Sequence, residues 1–269
     1  MALGWLTPAV VALSFLTTSA HASQIVSPSN TGVGKTQVAF PLVISAGFEY
    51  SEDSEATETE YPFSLEFGFS EQFKAVAEWS YVNIHSKAPT VKSAAGMGDL
   101  ETFVEYEFIR EMRYRPAFSA EFGIKWPTAK FPNLGSGETD YTLGIIVSKE
   151  FTGGWDTDFG LSYTLMGDPR GIRIDDVIEV SGAVEWKITY AVALECELVY
   201  HSGGGTTASG PAFAKAGALL GGGGSDFELS IGFAENLGDY LKLEQGAVVQ
   251  PDGSWQALLA VAWDFSGEP

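Results

Sequence analysis

Apolar and polar residues alternate with a period of two along most of this chain, which is the pattern of strands with one apolar face; no long stretch keeps the helical period. In the first such segment Val38, Phe40, Leu42, Ile44, Ala46, Phe48 and Tyr50 share a face, and in the second Tyr61, Phe63, Leu65, Phe67 and Phe69 do, opposite Ser64, Glu66 and Gly68. A third runs from Phe73 to Ile84. The fourth, Asp99 to Ile109, sets Leu100, Thr102, Val104, Tyr106 and Phe108 against Glu101, Glu105 and Glu107, and the fifth, Tyr114 to Trp126, sets Phe118, Ala120, Phe122 and Ile124 against Arg115, Ser119, Glu121 and Lys125. The sixth carries Tyr141, Leu143, Ile145 and Val147, and the seventh Trp155, Phe159, Leu161, Tyr163 and Leu165. Ile174 to Lys187 and Tyr190 to Tyr200 form the eighth and ninth, the latter with Cys196 on its apolar face. Asp226 to Ala234, Tyr240 to Val249 and Ser254 to Phe265 complete the series.

These lengths suit the roughly 9 to 11 residues of a tilted strand that crosses a bilayer. The connections alternate short and long, as periplasmic turns and external loops do. Short ones fall near Ser70, Arg110, Thr152, Lys187 and Glu235; longer ones span Ser51 to Glu60, His85 to Gly98, Pro127 to Glu138, Met166 to Arg173 and His201 to Ser225. The pattern predicts an all-β fold, an antiparallel up-and-down transmembrane β-barrel of about 12 strands, with both chain ends on the turn side.

A soluble barrel shows the same alternation with its apolar face inward, so periodicity alone does not decide between the two. Tyr50, Tyr61, Trp79, Trp126, Tyr141, Trp155, Trp186, Tyr190 and Trp255 stand at strand ends, where interfacial girdles belong. The opposite faces carry interleaved carboxylates and ammoniums, which suit a polar lumen. The chain closes on an amphipathic strand ending at Phe265, similar to the terminal signal read by barrel-assembly machinery, and residues 266–269 form a short tail.

At the other end, an apolar run from Val10 to Leu16 leads into Ala20-His21-Ala22, which predicts a signal peptide over 1–22 cut before Ser23. The Met1 to Pro8 stretch lacks the Lys or Arg that a signal usually carries. Residues 23–36 form a periplasmic segment and 37–265 the barrel, placed in a bacterial outer membrane. The net charge of −20 and pI of about 4.3 exclude a nucleic-acid partner, which needs basic stripes to displace counterions. A single cysteine excludes an internal disulfide and a paired-cysteine zinc site, and no pattern points to a cofactor or metal.

Gly96-Met97-Gly98-Asp99-Leu100, Ile124-Lys125-Trp126-Pro127-Thr128 and Leu134-Gly135-Ser136-Gly137-Glu138-Thr139-Asp140-Tyr141 resemble the recurring motifs of the outer-membrane family named for the meta-pathway of phenol degradation. The resemblance implies a small transport barrel that passes small, often hydrophobic or aromatic, organic compounds by passive diffusion. Its motif residues here are Gly98, Asp99, Pro127, Thr128, Gly135, Gly137 and Asp140. Read as residues alone, the Gly and Pro positions punctuate turns, while Asp99 and Asp140 stand at a lip where a carboxylate can pin a loop or meet a solute.

The expected substrate path is the lumen face: Lys74, Glu78, Glu101, Glu105, Arg115, Glu121, Lys125, Glu179 and Glu195. These charges pair across strands and fill the interior, or their acidic excess makes a cation-preferring path. The expected partners are outer-membrane lipid, the assembly machinery and a small organic solute. A structural or adhesive barrel with acidic loops that bind cations or partners is the alternative. An outer-membrane lipid hydrolase is a further one, but it needs a Ser and a His within hydrogen-bond reach; His85-Ser86 and His201-Ser202 are strand neighbours that point to opposite faces. The glycine runs at Gly203 and Gly221 lack the Lys-Ser of a phosphate loop and read as an external loop, with Phe213, Leu219 and Leu220 between them as candidate gate residues.

Overall fold

The computed structural model describes residues 42–52, 56–87, 93–131, 134–169, 172–202, 206–208, 226–238, 240–249 and 255–265. The elements are β1 (Leu42–Glu52), β2 (Ala56–Ser70), β3 (Phe73–Ser86), β4 (Ala94–Met97), β5 (Leu100–Ile109), β6 (Ala117–Trp126), β7 (Asp140–Phe151), β8 (Trp155–Leu165), β9 (Ile172–Ile174), β10 (Val177–Lys187), β11 (Val192–Ser202), β12 (Thr206–Ala208), β13 (Asp226–Asn236), β14 (Leu241–Val249) and β15 (Trp255–Asp264). Each long strand pairs antiparallel with its sequence neighbours, β15 returns to β1, and β2 joins β3, which closes a twelve-stranded barrel. A closed sheet leaves no edge, so every strand's amides find partners without water. The short β9 and β12 pair with each other outside it.

The distribution of side chains is the reverse of a soluble barrel's. On β5 Glu101, Phe103, Glu105 and Glu107 are buried while Val104, Tyr106 and Phe108 are exposed; on β10 Val177, Glu179, Ser181 and Glu185 are buried while Ile178, Val184 and Trp186 are exposed. Leu143, Ile145, Phe159, Leu161, Leu198 and Ile231 continue this outer belt. A soluble monomer leaves apolar patches of roughly 300–600 Å², and a continuous belt around the whole wall exceeds that, so the surface is built for hydrocarbon. Within the belt, aromatic pairs stack across strands: Trp155 lies flat on Trp186 with centroids 5.2 Å apart, at the turn end.

Tight turns set the lower rim. The β7–β8 turn uses Gly153 and Gly154 at φ 101° and 80°, a region a side chain resists. Arg115 is exposed in the β5–β6 turn and not in the lumen: Met112 and Arg115 bridge each other, and the guanidinium donates to the Arg110 carbonyl at 3.1 and 3.3 Å. That reversal, followed by Pro116, delays β6 to Ala117 and removes Tyr114 and Arg115 from the alternation expected of them.

The upper rim departs from the expected boundaries for physical reasons. Residues 56–60, expected in a loop, belong to β2, which pairs Tyr50 with Thr59 and Glu52 with Thr57. Thr favours strands, but Thr alternating with Glu makes no apolar face, so hydropathy is silent where a strand stands in water. The fourth expected strand begins one residue later, and β4 fills the upper part of its place beside β3. Ile174, expected in the eighth strand, belongs to β9, and Asp176 ends that excursion by accepting bonds from the Met166 amide at 3.1 Å and the Tyr163 hydroxyl at 2.5 Å. Val38, Phe40, residues 1–36, the 266–269 tail, Gly203, Phe213, Leu219, Leu220 and Gly221 lie outside the described residues.

Candidate functional site: the lumen and its external mouth

Strand alternation aims one face of every strand inward, and the wall it makes is crowded with charge. Lys74 lies 3.2 Å from Glu105 and 3.5 Å from Glu66, and Glu121 stands opposite Glu105 on the next strand. One level higher, Glu78, Glu101, Lys125 and Asp140 follow one another across β3, β5, β6 and β7. Lys125 ion-pairs with Asp140 and donates to Ser136 Oγ at 3.0 Å. Of the residues expected on the path, Lys74, Glu101, Glu105, Lys125, Glu179 and Glu195 are buried on the inner face, Glu78 and Glu121 are half-buried there, and Arg115 is not on it.

The opposite wall adds His201, Lys242, Glu244, Asp156, Lys187 and Glu49 to the residues named for the path. His201 Nδ1 lies 3.1 Å from Glu179, and Lys242 bridges Glu244 at 2.6 Å and Glu195 at 3.5 Å. Asp156 meets Lys187 at 2.8 Å, and Glu49 accepts from Gln256 Nε2 at 2.6 Å. Strand parity already carried these positions, since each faces away from an outward aromatic or aliphatic neighbour such as Phe48, Trp155 or Tyr200. His85, by contrast, is exposed on the outer face. At the turn end a cavity of about 270 Å³ is lined by Lys187, Lys242, Glu185, Tyr190, Tyr240 and the small residues Ala193, Ala234 and Ala262.

At the external end the three sequence motifs converge on one latch. Gly98 and Asp99 interrupt the strand between β4 and β5, and the Gly98 amide donates to the Ser80 carbonyl at 2.9 Å. Asp99 Oδ1 accepts from the Ala129 amide at 2.9 Å, while Thr128 Oγ1 accepts from the Leu100 amide at 2.9 Å and donates to the Gly98 carbonyl at 3.2 Å. Pro127 sits at the centre of a three-residue turn closed by Thr128 N to Trp126 O at 2.7 Å, for which its fixed φ is suited. Gly135 has its hydrogen against Asp99: a Cβ there would stand 2.6 Å from Asp99 Cγ. Gly137 takes φ 74°, a conformation suited to glycine, and Asp140 Oδ1 accepts from the Gly167 amide at 2.7 Å. Burial pushes the Asp99 carboxyl above its ordinary range, against the pull of the Ala129 amide.

The latch brings Leu134 inward. Leu134 is 5% exposed and packs on Ala56, Val82 and Ile84, which are inward positions of β2 and β3, with Ala94 and Ala129 beside them. An isolated Leu in a Gly-rich loop has no sequence signal for this role, because the wall it meets lies more than 40 positions away in the chain.

The chain matches, over residues 6–236, the sequence profile of the family described as MetA-pathway of phenol degradation. It belongs to that family. No curated protein sequence matches it. Among solved structures, it is similar to an outer membrane channel from Pseudomonas putida F1, with a TM-score of 0.67 and 12% identity over 85% of this chain and 96% of that one. The NanC porin follows with a TM-score of 0.57 and 12% identity, covering 82% of this chain and 98% of that one. The KdgM porin in complex with disordered oligogalacturonate has a TM-score of 0.54 and 10% identity over 81% and 98%. At such identities the likeness establishes the fold, that of outer-membrane barrels. In this chain the latch at Asp99 and Thr128 holds Leu134 against the inner wall of the mouth.

Proposed function

We propose that this family member is an outer-membrane channel that admits small organic solutes, aromatic and hydrophobic ones among them, by passive diffusion, with no covalent chemistry and no cofactor. The observation that carries the reading is the inverted wall: an apolar exterior around an interior lined by Lys74, Glu101, Glu105, Glu179, Glu195 and Glu244. A purely structural barrel gains little from so many buried charges, because burying ions costs more than filling the interior with apolar side chains of similar volume. Carboxylates outnumber ammoniums on this wall, which supports a cation preference for ions that share the path. Export through a signal cut before Ser23, insertion by the barrel-assembly machinery, and contact with outer-membrane lipid complete the proposal.

Planar-bilayer recording of the refolded mature chain tests it, with selectivity taken from the reversal potential in a salt gradient. Open steps with a cation-directed reversal potential are expected. A folded barrel that passes neither ions nor solute overturns the channel reading and leaves the alternative, a structural or adhesive barrel.

A further inference from the structure

Taking a carboxylate out of water is costly unless a cation or hydrogen-bond donors meet it, so buried acidic side chains are expected beside basic ones. The inner wall keeps to this where carboxylates stand directly opposite each other across the ladder. Glu105 and Glu121 have Lys74, 3.2 Å from Glu105; Asp156 and Glu185 have Lys187, 2.8 Å from Asp156; Glu185 and Glu195 have Lys242, 3.5 Å from Glu195. Glu49 on β1 and Glu60 on β2 are opposed in the same way, and among the described residues no lysine, arginine or histidine forms an ion pair with either.

Glu49 is nevertheless only 2% exposed. Its Oε2 accepts from Gln256 Nε2 at 2.6 Å, but its Oε1, also buried, has no hydrogen-bond partner. Such an acceptor, beside a second carboxylate, marks a place for a donor that carries positive charge. The place is near the external end of the wall, since β1 ends at Glu52, where Lys87 pairs with it.

The neighbours of the pair choose among cations. Along one rung of the wall, from β15 to β3, the inward residues are Leu258, Glu49, Glu60 and Val82. Leu258 is buried and packs on Val248; Val82 is buried and packs with Ile84 and Leu134, the residue that the latch holds in the mouth. A hard metal ion requires a shell of oxygen ligands or ordered waters, which these aliphatic shoulders do not offer. Among the described residues no group of three or more acidic, histidine or cysteine side chains is placed to hold one. A primary ammonium is satisfied by fewer acceptors, and the hydrocarbon attached to it can lie on Leu258 or Val82.

We propose that Glu49 and Glu60 form a recognition site at the external mouth for small primary ammonium solutes with an apolar body, the ammonium between the two carboxylates and the hydrocarbon on Leu258 and Val82. The proposal rests on the channel reading and adds a binding site and the class of solute it takes.

Benzylamine, protonated at neutral pH, is the probe, and benzyl alcohol is its neutral counterpart; each is titrated into the refolded mature chain and followed by ligand-observed NMR. Benzylamine is expected to bind and benzyl alcohol not to. Glu49→Gln keeps an acceptor for Gln256 and removes only charge, so the barrel is expected to fold while benzylamine affinity falls about tenfold, as the loss of one charge-assisted hydrogen bond implies. Glu60→Gln is expected to act in the same direction. Glu197→Gln removes a buried inward carboxylate from β11, and screening across the lumen is expected to keep its effect within about twofold. Leu258→Ser is expected to weaken benzylamine and to leave methylamine unchanged, which reads the apolar shoulder separately from the charge. Benzylamine affinity indifferent to both Glu49→Gln and Glu60→Gln overturns the proposal, as does equal binding of benzyl alcohol, or displacement of benzylamine by equimolar magnesium, which would make the pair a metal site. Bilayer conductance is recorded on the same preparations. A barrel that binds benzylamine through Glu49 but passes no ions keeps the site and fails the channel reading, whereas one that conducts with benzylamine affinity unmoved by either variant fails the site alone.

Discussion

Asp99 illustrates how one side chain holds the mouth together. Its carboxylate takes the Ala129 amide while its flank lies on the Gly135 backbone, so the acceptor matters more than the charge. Asp99→Asn keeps an acceptor and is expected to keep the loop in place, whereas Asp99→Ala orphans the amide. Trypsin cleavage after the exposed Lys130 reads this directly: Asp99→Ala is expected to speed it about tenfold, for a latch weakened by about 1.4 kcal/mol, and Asp99→Asn to leave it near the wild-type rate. Equal rates in the two variants would show that the latch does not depend on this contact. A second residue-scale contrast separates two of the three cations expected on the path. Lys74→Gln removes an inner-wall ammonium and is expected to push the reversal potential further toward cations, while Arg115→Ala, at an exposed turn, leaves it unchanged.

At the scale of elements, the two faces of a strand live in different solvents. On β11 Glu195 and Glu197 are buried inward while Cys196 between them is exposed to the outside. Cys196→Arg at this mid-strand position is expected to cost about 2–4 kcal/mol in urea refolding titrations in lipid vesicles. The unmutated thiol is expected to react with a lipid-soluble maleimide and to resist a charged thiosulfonate, with mass spectrometry as the readout. Turns are equally demanding. Gly154→Ala forces a side chain into φ 80° and within 3.0 Å of the Lys187 carbonyl, and is expected to cost about 1–2 kcal/mol in the same titration.

For the whole molecule, the formal charge of −20 is not spread evenly: the belt facing lipid is neutral, so the acidic excess is concentrated on the lumen and the rims. Neutralising Glu101 and Glu105 together as Gln is expected to reduce cation selectivity in the reversal potential, and raising the salt concentration is expected to reduce it in the wild type. Selectivity indifferent to both changes would mean that ions do not pass this wall.

What the sequence determined by itself was the parity of the strands, and through it the fold. Period two requires no knowledge of partners, so the barrel class, the outward aromatic girdle, the lipid-facing Cys196 and the inward Glu101, Glu105 and Lys125 were all legible before any contact was known. Parity failed where it had no apolar signal to follow, as in the Thr and Glu of residues 56–60, and where a turn consumed strand residues, as at Arg115. Only the tertiary structure decided which charges pair, such as Lys74 with Glu105 and His201 with Glu179, because those pairs depend on register between strands. It also decided that Asp99, Thr128, Gly135 and Asp140 meet at one latch.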